Sequence, residues 1–185
     1  MPRYVAMFRG INVGKAKRIA MGDLRTLLGK LGYADVATLL NSGNAVFTGN
    51  AEPVATHAAR IRAAVRTKLG VDALVIVKSA KDVAAIIAGN AIGKHATDDS
   101  KLLVAVTNAA SGLAKVRALT CQTWGAEKLH VGRHAAYLWC ANGILESKVA
   151  VALFKGLGET GTTRNWATLN KIHALLAGTS TGTDT

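Results

Sequence analysis

Between Tyr4 and Val77 the apolar residues change spacing in an order that few folds accommodate. Tyr4 to Arg9 is a short, nearly continuous apolar run, as expected of a buried strand. Met21, Leu24, Leu27, Leu28 and Leu31 then recur at helical spacing, and Gly32 ends that helix. Val36 to Leu40 and Ala45 to Thr48 read as strands joined by Asn41-Ser42-Gly43-Asn44, a tight-turn signal. Val54, Ala58, Ile61, Val65 and Leu69 mark a second amphipathic helix closed by Gly70, and Leu74 to Val77 a further strand. The order β-α-β-β-α-β predicts a ferredoxin-like α/β half. In its first strand Tyr4, Ala6 and Phe8 alternate with Val5 and Met7, so both faces of that sheet are apolar and need cover.

Lys81 to Ala88 reads as a connecting helix and residues 89–100 as a polar linker. A second round follows: a strand at Leu102 to Thr107, a helix from about Gly112 to Leu119, and strands at Lys128 to Val131 and Ala136 to Cys140. A helix from Ser147 to Leu157 and another from Trp166 to Leu176 close the pattern. This is an imperfect echo of the first half, without a clear final strand. The expected organisation is a ferredoxin-like half over 1–88, the linker, a second ferredoxin-like half over 101–177, and a disordered, low-complexity tail over 178–185. Two such halves packed together form the predicted fold.

The segment with the most chemical content is Arg9-Gly10-Ile11-Asn12-Val13-Gly14-Lys15-Ala16-Lys17-Arg18, between the first strand and the first helix. Its glycines and asparagine tolerate positive φ, so the chain can turn tightly with N–H groups exposed beside four cations. The spacing is one residue short of a triphosphate P-loop, and Ala16 lacks the hydroxyl that would hold magnesium. A looser anion nest fits the residues better. Arg9, Asn12, Lys15 and Lys17 are the expected contacts. Asn44 on the neighbouring turn and Arg164, before the last helix, would complete the site. In Thr162-Thr163-Arg164-Asn165-Trp166, Thr163 or Asn165 suits a helix cap, whereas capping does not explain Arg164.

The formal charge is +12, from 23 Lys and Arg against 11 Asp and Glu, and the densest basic groups are Arg9 to Arg18 and Arg60 to Lys68. That balance favours a phosphorylated small molecule or a nucleic-acid backbone as ligand. Base stacking on the sheet is disfavoured, because the third strand offers only Phe47 and aromatics make up 5% of the chain. Two alternatives use the same charge: an enzyme acting on a small anionic substrate in a cleft between the halves, or an interaction module for an acidic partner. Scarce carboxylates leave no convincing general base. His130 and His134, with Cys121 and Cys140, match no metal spacing, and neither metal nor cofactor is expected. Met1 to Tyr4 lead straight into a strand, which predicts no signal peptide. No apolar run approaches the ~18 residues of a membrane helix, and two cysteines without a pairing motif point to a cytoplasmic location.

Four segments carry a family resemblance: Arg-Gly-Ile-Asn-Val-Gly at 9–14, Asn-Ser-Gly-Asn-Ala-Val-Phe at 41–47, Gly-Ile-Leu-Glu-Ser-Lys at 143–148 and Thr-Thr-Arg-Asn-Trp at 162–166. In this order the chain resembles domain-of-unknown-function family 1697 of bacterial proteins. The resemblance implies a two-part α/β fold built from ferredoxin-like pieces and implies no reaction.

Overall fold

Apolar alternation on the first strand sets the architecture. In the computed structural model, which describes residues 1–14 and 17–178, β1 (Arg3–Phe8), α1 (Met21–Lys30), β2 (Ala34–Leu39), β3 (Asn44–Thr48), α2 (Val54–Leu69) and β4 (Val75–Ser79) follow one another as expected. The four strands form an antiparallel sheet in the order β2-β3-β1-β4, with Ala6 opposite both Ala45 and Val77. Tyr4, Ala6 and Phe8 pack with Leu24 and Leu28 of α1 and Ile61 and Val65 of α2. Val5, Met7, Val46 and Ile76, on the other face, are also buried, so neither face of this sheet is left to water.

Local chemistry fixes the ends of these elements. Gly70 stops α2 in the left-handed conformation at φ +68°, which costs glycine little. Edge strand β2 is interrupted between Ala34 and Ala37, an irregularity that discourages pairing with another chain. Helix α3 (Ala80–Ala88) opens on a reciprocal cap. The Ser79 Oγ accepts from the Asp82 N–H at 3.1 Å, and the Asp82 Oδ2 accepts from the Ser79 N–H at 3.0 Å.

The second round comprises β5 (Leu102–Thr107), α4 (Ala110–Arg117), β6 (Lys128–Val131), β7 (Ala136–Trp139), α5 (Lys148–Leu157), β8 (Gly161–Asn165) and α6 (Trp166–Ala177). Its sheet runs β6-β7-β5-β8, the order of the first sheet. The missing last strand is therefore present. The segment Gly-Thr-Thr-Arg-Asn has no apolar alternation of its own. It is strand because β5 offers a ladder from Leu103 opposite Asn165 to Thr107 opposite Gly161. Leu103, Ala105, Leu113, Val116, Leu138 and Leu153 belong to the core of this unit.

Two compact units divide the chain: Met1–Val83 together with the described residues from Ile172 to Gly178, and Ala84–Lys171. In the first, the Arg3 guanidinium donates to the Leu176 carbonyl at 3.4 Å, tying β1 to the end of α6. Among the described residues no helix is long and apolar enough to cross a membrane. Of the expected tail, residues 179–185 lie outside the described residues.

Helix α5 starts where the sequence places it. The buried Ser147 hydroxyl accepts from the Ala150 N–H at 3.0 Å. Replacing Ser147 with alanine strands that N–H. Denaturant titration of Ser147→Ala should show a loss of about 1–2 kcal/mol with an unchanged slope.

Candidate anion-binding site

Strand β1 runs out between two other segments, and this places Arg9. The Phe8 N–H donates to the Gly43 carbonyl at 2.8 Å, and the Arg9 N–H donates to the Leu74 carbonyl at 2.9 Å. Arg9 is thus held, half-buried, between the β2–β3 turn and the approach to β4. The two glycine-bearing motifs of the first half meet here. Ile11, 1% exposed, fills the space over Gly43, whose missing side chain would fall 2.6 Å from Ile11 Cδ1.

Asn12 is the staple of the loop. Its Nδ2 donates to the Ile19 carbonyl at 2.9 Å and to the Asn41 carbonyl at 2.8 Å, while its Oδ1 accepts from the Ile19 N–H at 2.8 Å. Its main-chain N–H donates to the Lys17 carbonyl at 3.0 Å. The side chain therefore closes the loop and joins it to the turn. Asn44 does similar work one strand away. It is fully buried, and its Nδ2 donates to the Leu39 carbonyl at 3.0 Å and to the Ser42 Oγ at 3.2 Å. Both asparagines shape the wall and present no amide N–H outward.

Gly10, Asn12, Gly14 and Lys17 have φ between +52° and +65°. Left-handed residues recurring this closely are the kind of backbone from which anion nests are built. Gly10, Val13 and Gly14 are exposed, and among the described residues nothing accepts from their N–H groups. Lys17 is exposed beside them; Lys15 lies outside the described residues.

The second basic group arrives from α2. Helix α2 runs back along the sheet, so its last turns reach the end where β1 finishes and β4 begins. There Arg62 Nε donates to Asp72 Oδ1 at 2.8 Å, with both side chains 48% exposed. The Arg62 hydrogen bond is the main cause holding the Asp72 carboxyl below its ordinary range, and the charges of Arg62, Arg66 and Lys17 add to it against partial burial. Arg62, Arg66 and Lys17 thus act on one carboxylate from two segments some fifty residues apart. The sequence shows each segment as basic; only the Arg62–Arg66 spacing of four, on one helix face, hints at a joint surface.

Arg164 lies in the second unit, on β8 opposite Val104, and not at a helix end. It is 8% exposed, and its Nη1 donates to Thr162 Oγ1 at 3.1 Å and to the Thr163 carbonyl at 2.8 Å. Burial brings its pKa down to about 10, so it remains a cation at neutral pH. Capping of α6 falls to Asn165, whose Oδ1 accepts from the Thr168 N–H at 2.9 Å.

A buried cluster at the β3–α2 junction was not legible in the sequence, where His57 reads as an ordinary surface or helix residue. His57 is 0% exposed. Its Nε2 donates to the Asn50 carbonyl at 3.2 Å, which leaves Nδ1 to accept from the Tyr33 hydroxyl at 2.9 Å. With both nitrogens matched, it braces the junction. A groove of about 750 Å³ between α1 and α2 is mainly apolar and contains none of the basic-loop residues.

The whole fold recurs in a solved structure, that of the conserved bacterial protein SP0830 from Streptococcus pneumoniae. The TM-score is 0.69 at 22% identity, over 95% of this chain and 98% of that one, a likeness of fold. No curated protein matches the chain. The family model described as "Protein of unknown function (DUF1697)" matches residues 1–137, which include both motifs that meet at Gly43. With that span matched and the glycine loop and its partner turn inside it, the chain belongs to the DUF1697 family.

Proposed function

We propose that the protein binds a phosphate-bearing ligand at the basic end of its first unit. The observation that carries this reading is the meeting of the two densest basic segments at one end of one sheet. Lys17 from the loop and Arg62 and Arg66 from α2 act on one acid, Asp72, and Arg9 stands where β1 ends, bonded through its N–H to the Leu74 carbonyl. Main-chain N–H groups at Gly10, Val13 and Gly14, unmatched among the described residues, add donors from the backbone itself. Asn12 and Asn44 hold the wall in place. The surface is open, which suits the phosphates of a nucleic-acid backbone or the exposed phosphate of a small molecule.

Thermal unfolding in the presence of inorganic phosphate, pyrophosphate, nucleotides and a single-stranded oligonucleotide tests this directly. A ligand at about 100 times its Kd adds about 2.7 kcal/mol of stability, a readily measured shift. For a backbone ligand, affinity should fall steeply with salt. Arg9→Ala should weaken binding about 5- to 10-fold at low salt and, for the single-stranded oligonucleotide, reduce the salt slope by about 0.7. No shift with any of these compounds, and no oligonucleotide binding at low salt, would end the reading.

A further inference from the structure

The ion pair between Arg62 and Asp72 sits in the middle of the surface just described, and a surface pair needs a reason to be there. We propose that Asp72 is an internal counter-ion of the phosphate site, its carboxylate occupying Arg62 until a ligand phosphate takes its place. This rests on the phosphate-binding reading above and adds its regulation.

Arg62 and Arg66 stand four apart on α2, where like charges repel across one helical turn. Lys17 approaches the same place from the loop. A single carboxylate at 2.8 Å from Arg62 relieves this repulsion without neutralising it, so a net positive field remains around Asp72. The pair is half exposed, which keeps its strength in the range of ordinary surface pairs and makes exchange inexpensive. A terminal phosphate brings more charge and three acceptor oxygens, and a backbone phosphodiester brings two oxygens that an arginine fork can take together, where Asp72 offers Arg62 a single oxygen. Asp72 also lies on the short connection from Gly70 to β4, outside any helix or strand, where it can swing aside without disturbing a ladder. Binding would therefore move one side chain and leave the sheet as it is.

The test compares parent, Asp72→Asn, Asp72→Glu and the double variant Arg62→Gln/Asp72→Asn. Two probes are titrated across salt: inorganic pyrophosphate and a fluorescent single-stranded oligonucleotide. Asp72→Asn should bind at least ~3-fold more tightly, because the carboxylate that competes with the ligand for Arg62 is gone. For the oligonucleotide its salt slope should steepen by about 0.7, one further cation engaged. Asp72→Glu, which keeps the charge, should bind like the parent, and the double variant should fall back to parent affinity or below. Tightening for pyrophosphate alone assigns the site to small phosphates; tightening for the oligonucleotide alone assigns it to a backbone. Parent binding that Asp72→Asn leaves unchanged or weakens overturns this inference while the phosphate reading stands. Absence of binding by parent and Asp72→Asn alike overturns both, whereas binding by Asp72→Asn alone supports the internal counter-ion. Thermal unfolding of each variant checks that it folds, as expected when only a surface pair is altered.

Discussion

Replacing Gly43 with alanine should cost about 2–4 kcal/mol and lower the thermal midpoint by roughly 5–15 °C. Two effects combine. Gly43 has φ +83°, where an L side chain is strained by about 1 kcal/mol or more. The added methyl would also stand 2.6 Å from Ile11 Cδ1, 2.7 Å from Ile11 Cγ1 and 2.9 Å from Phe8 Cβ. The end of Ile11 can rotate, but Phe8 Cβ is fixed on a strand paired on both sides, so the turn itself must move. Because the Phe8 N–H donates to the Gly43 carbonyl, such a shift also disturbs the exit of β1 and the seat of Arg9. Adding Ile11→Ala should recover part of the loss, a coupling expected only of residues in contact. A cost below ~1 kcal/mol, or strict additivity of the two substitutions, would mean that the loop yields freely and that the two motifs are not braced against each other.

The second large effect belongs to the other unit and appears only at high pH. Tyr137 is 1% exposed, and its hydroxyl donates to the Ile86 carbonyl. Burial pushes its pKa up from 10.0 to about 12. The folded state therefore holds the phenolic proton more tightly than the unfolded chain does. The stability this confers is complete below pH 10 and drains as pH rises toward 12, a loss of about 2 kcal/mol by pH 12. Arg164 acts with the opposite sign, because burial depresses its pKa to about 10 and loss of its proton relieves a buried charge. The parent's own alkaline profile mixes the two, so the informative quantity is its difference from Tyr137→Phe. At neutral pH the phenylalanine variant should be less stable by about 1–2 kcal/mol, since the Ile86 carbonyl loses a buried donor. That deficit should shrink above pH 10 and vanish or reverse near pH 12. Trp124, Trp139 and Trp166 all lie in this unit, so tryptophan fluorescence during denaturant unfolding reads it directly. A deficit independent of pH would show that the phenol titrates as in an unfolded chain.

Most of the fold could be read from local pattern because most elements carry their own signal. Helix α2 matches its expected span residue for residue: five apolar positions define its face, Pro53 precedes it and Gly70 ends it. Strand β8 was missed because its stability comes from β5, whose six buried residues supply both ladder and core. Helix α4 begins two residues before its expected start, a boundary set by no strong cap. The site was half legible. Arg9 and the positive-φ loop follow from residue type, but Asn12 was expected to face a ligand and its amide is bonded to the chain instead. Arg62 and Asp72 come to Lys17 only because α2 returns along the sheet. No spacing in a sequence records that return.

The split of the first unit has a consequence for how the chain is made. Its sheet is complete in sequence by Ser79, yet Ile172 and Leu176, which are buried, and the Leu176 carbonyl that receives Arg3 all arrive about ninety residues later. The second unit is contiguous from Ala84 to Lys171. During synthesis from the N-terminus, the unit begun first is thus the one finished last. The ribosome delivers every residue of the inserted unit before the closing helical turns of its host.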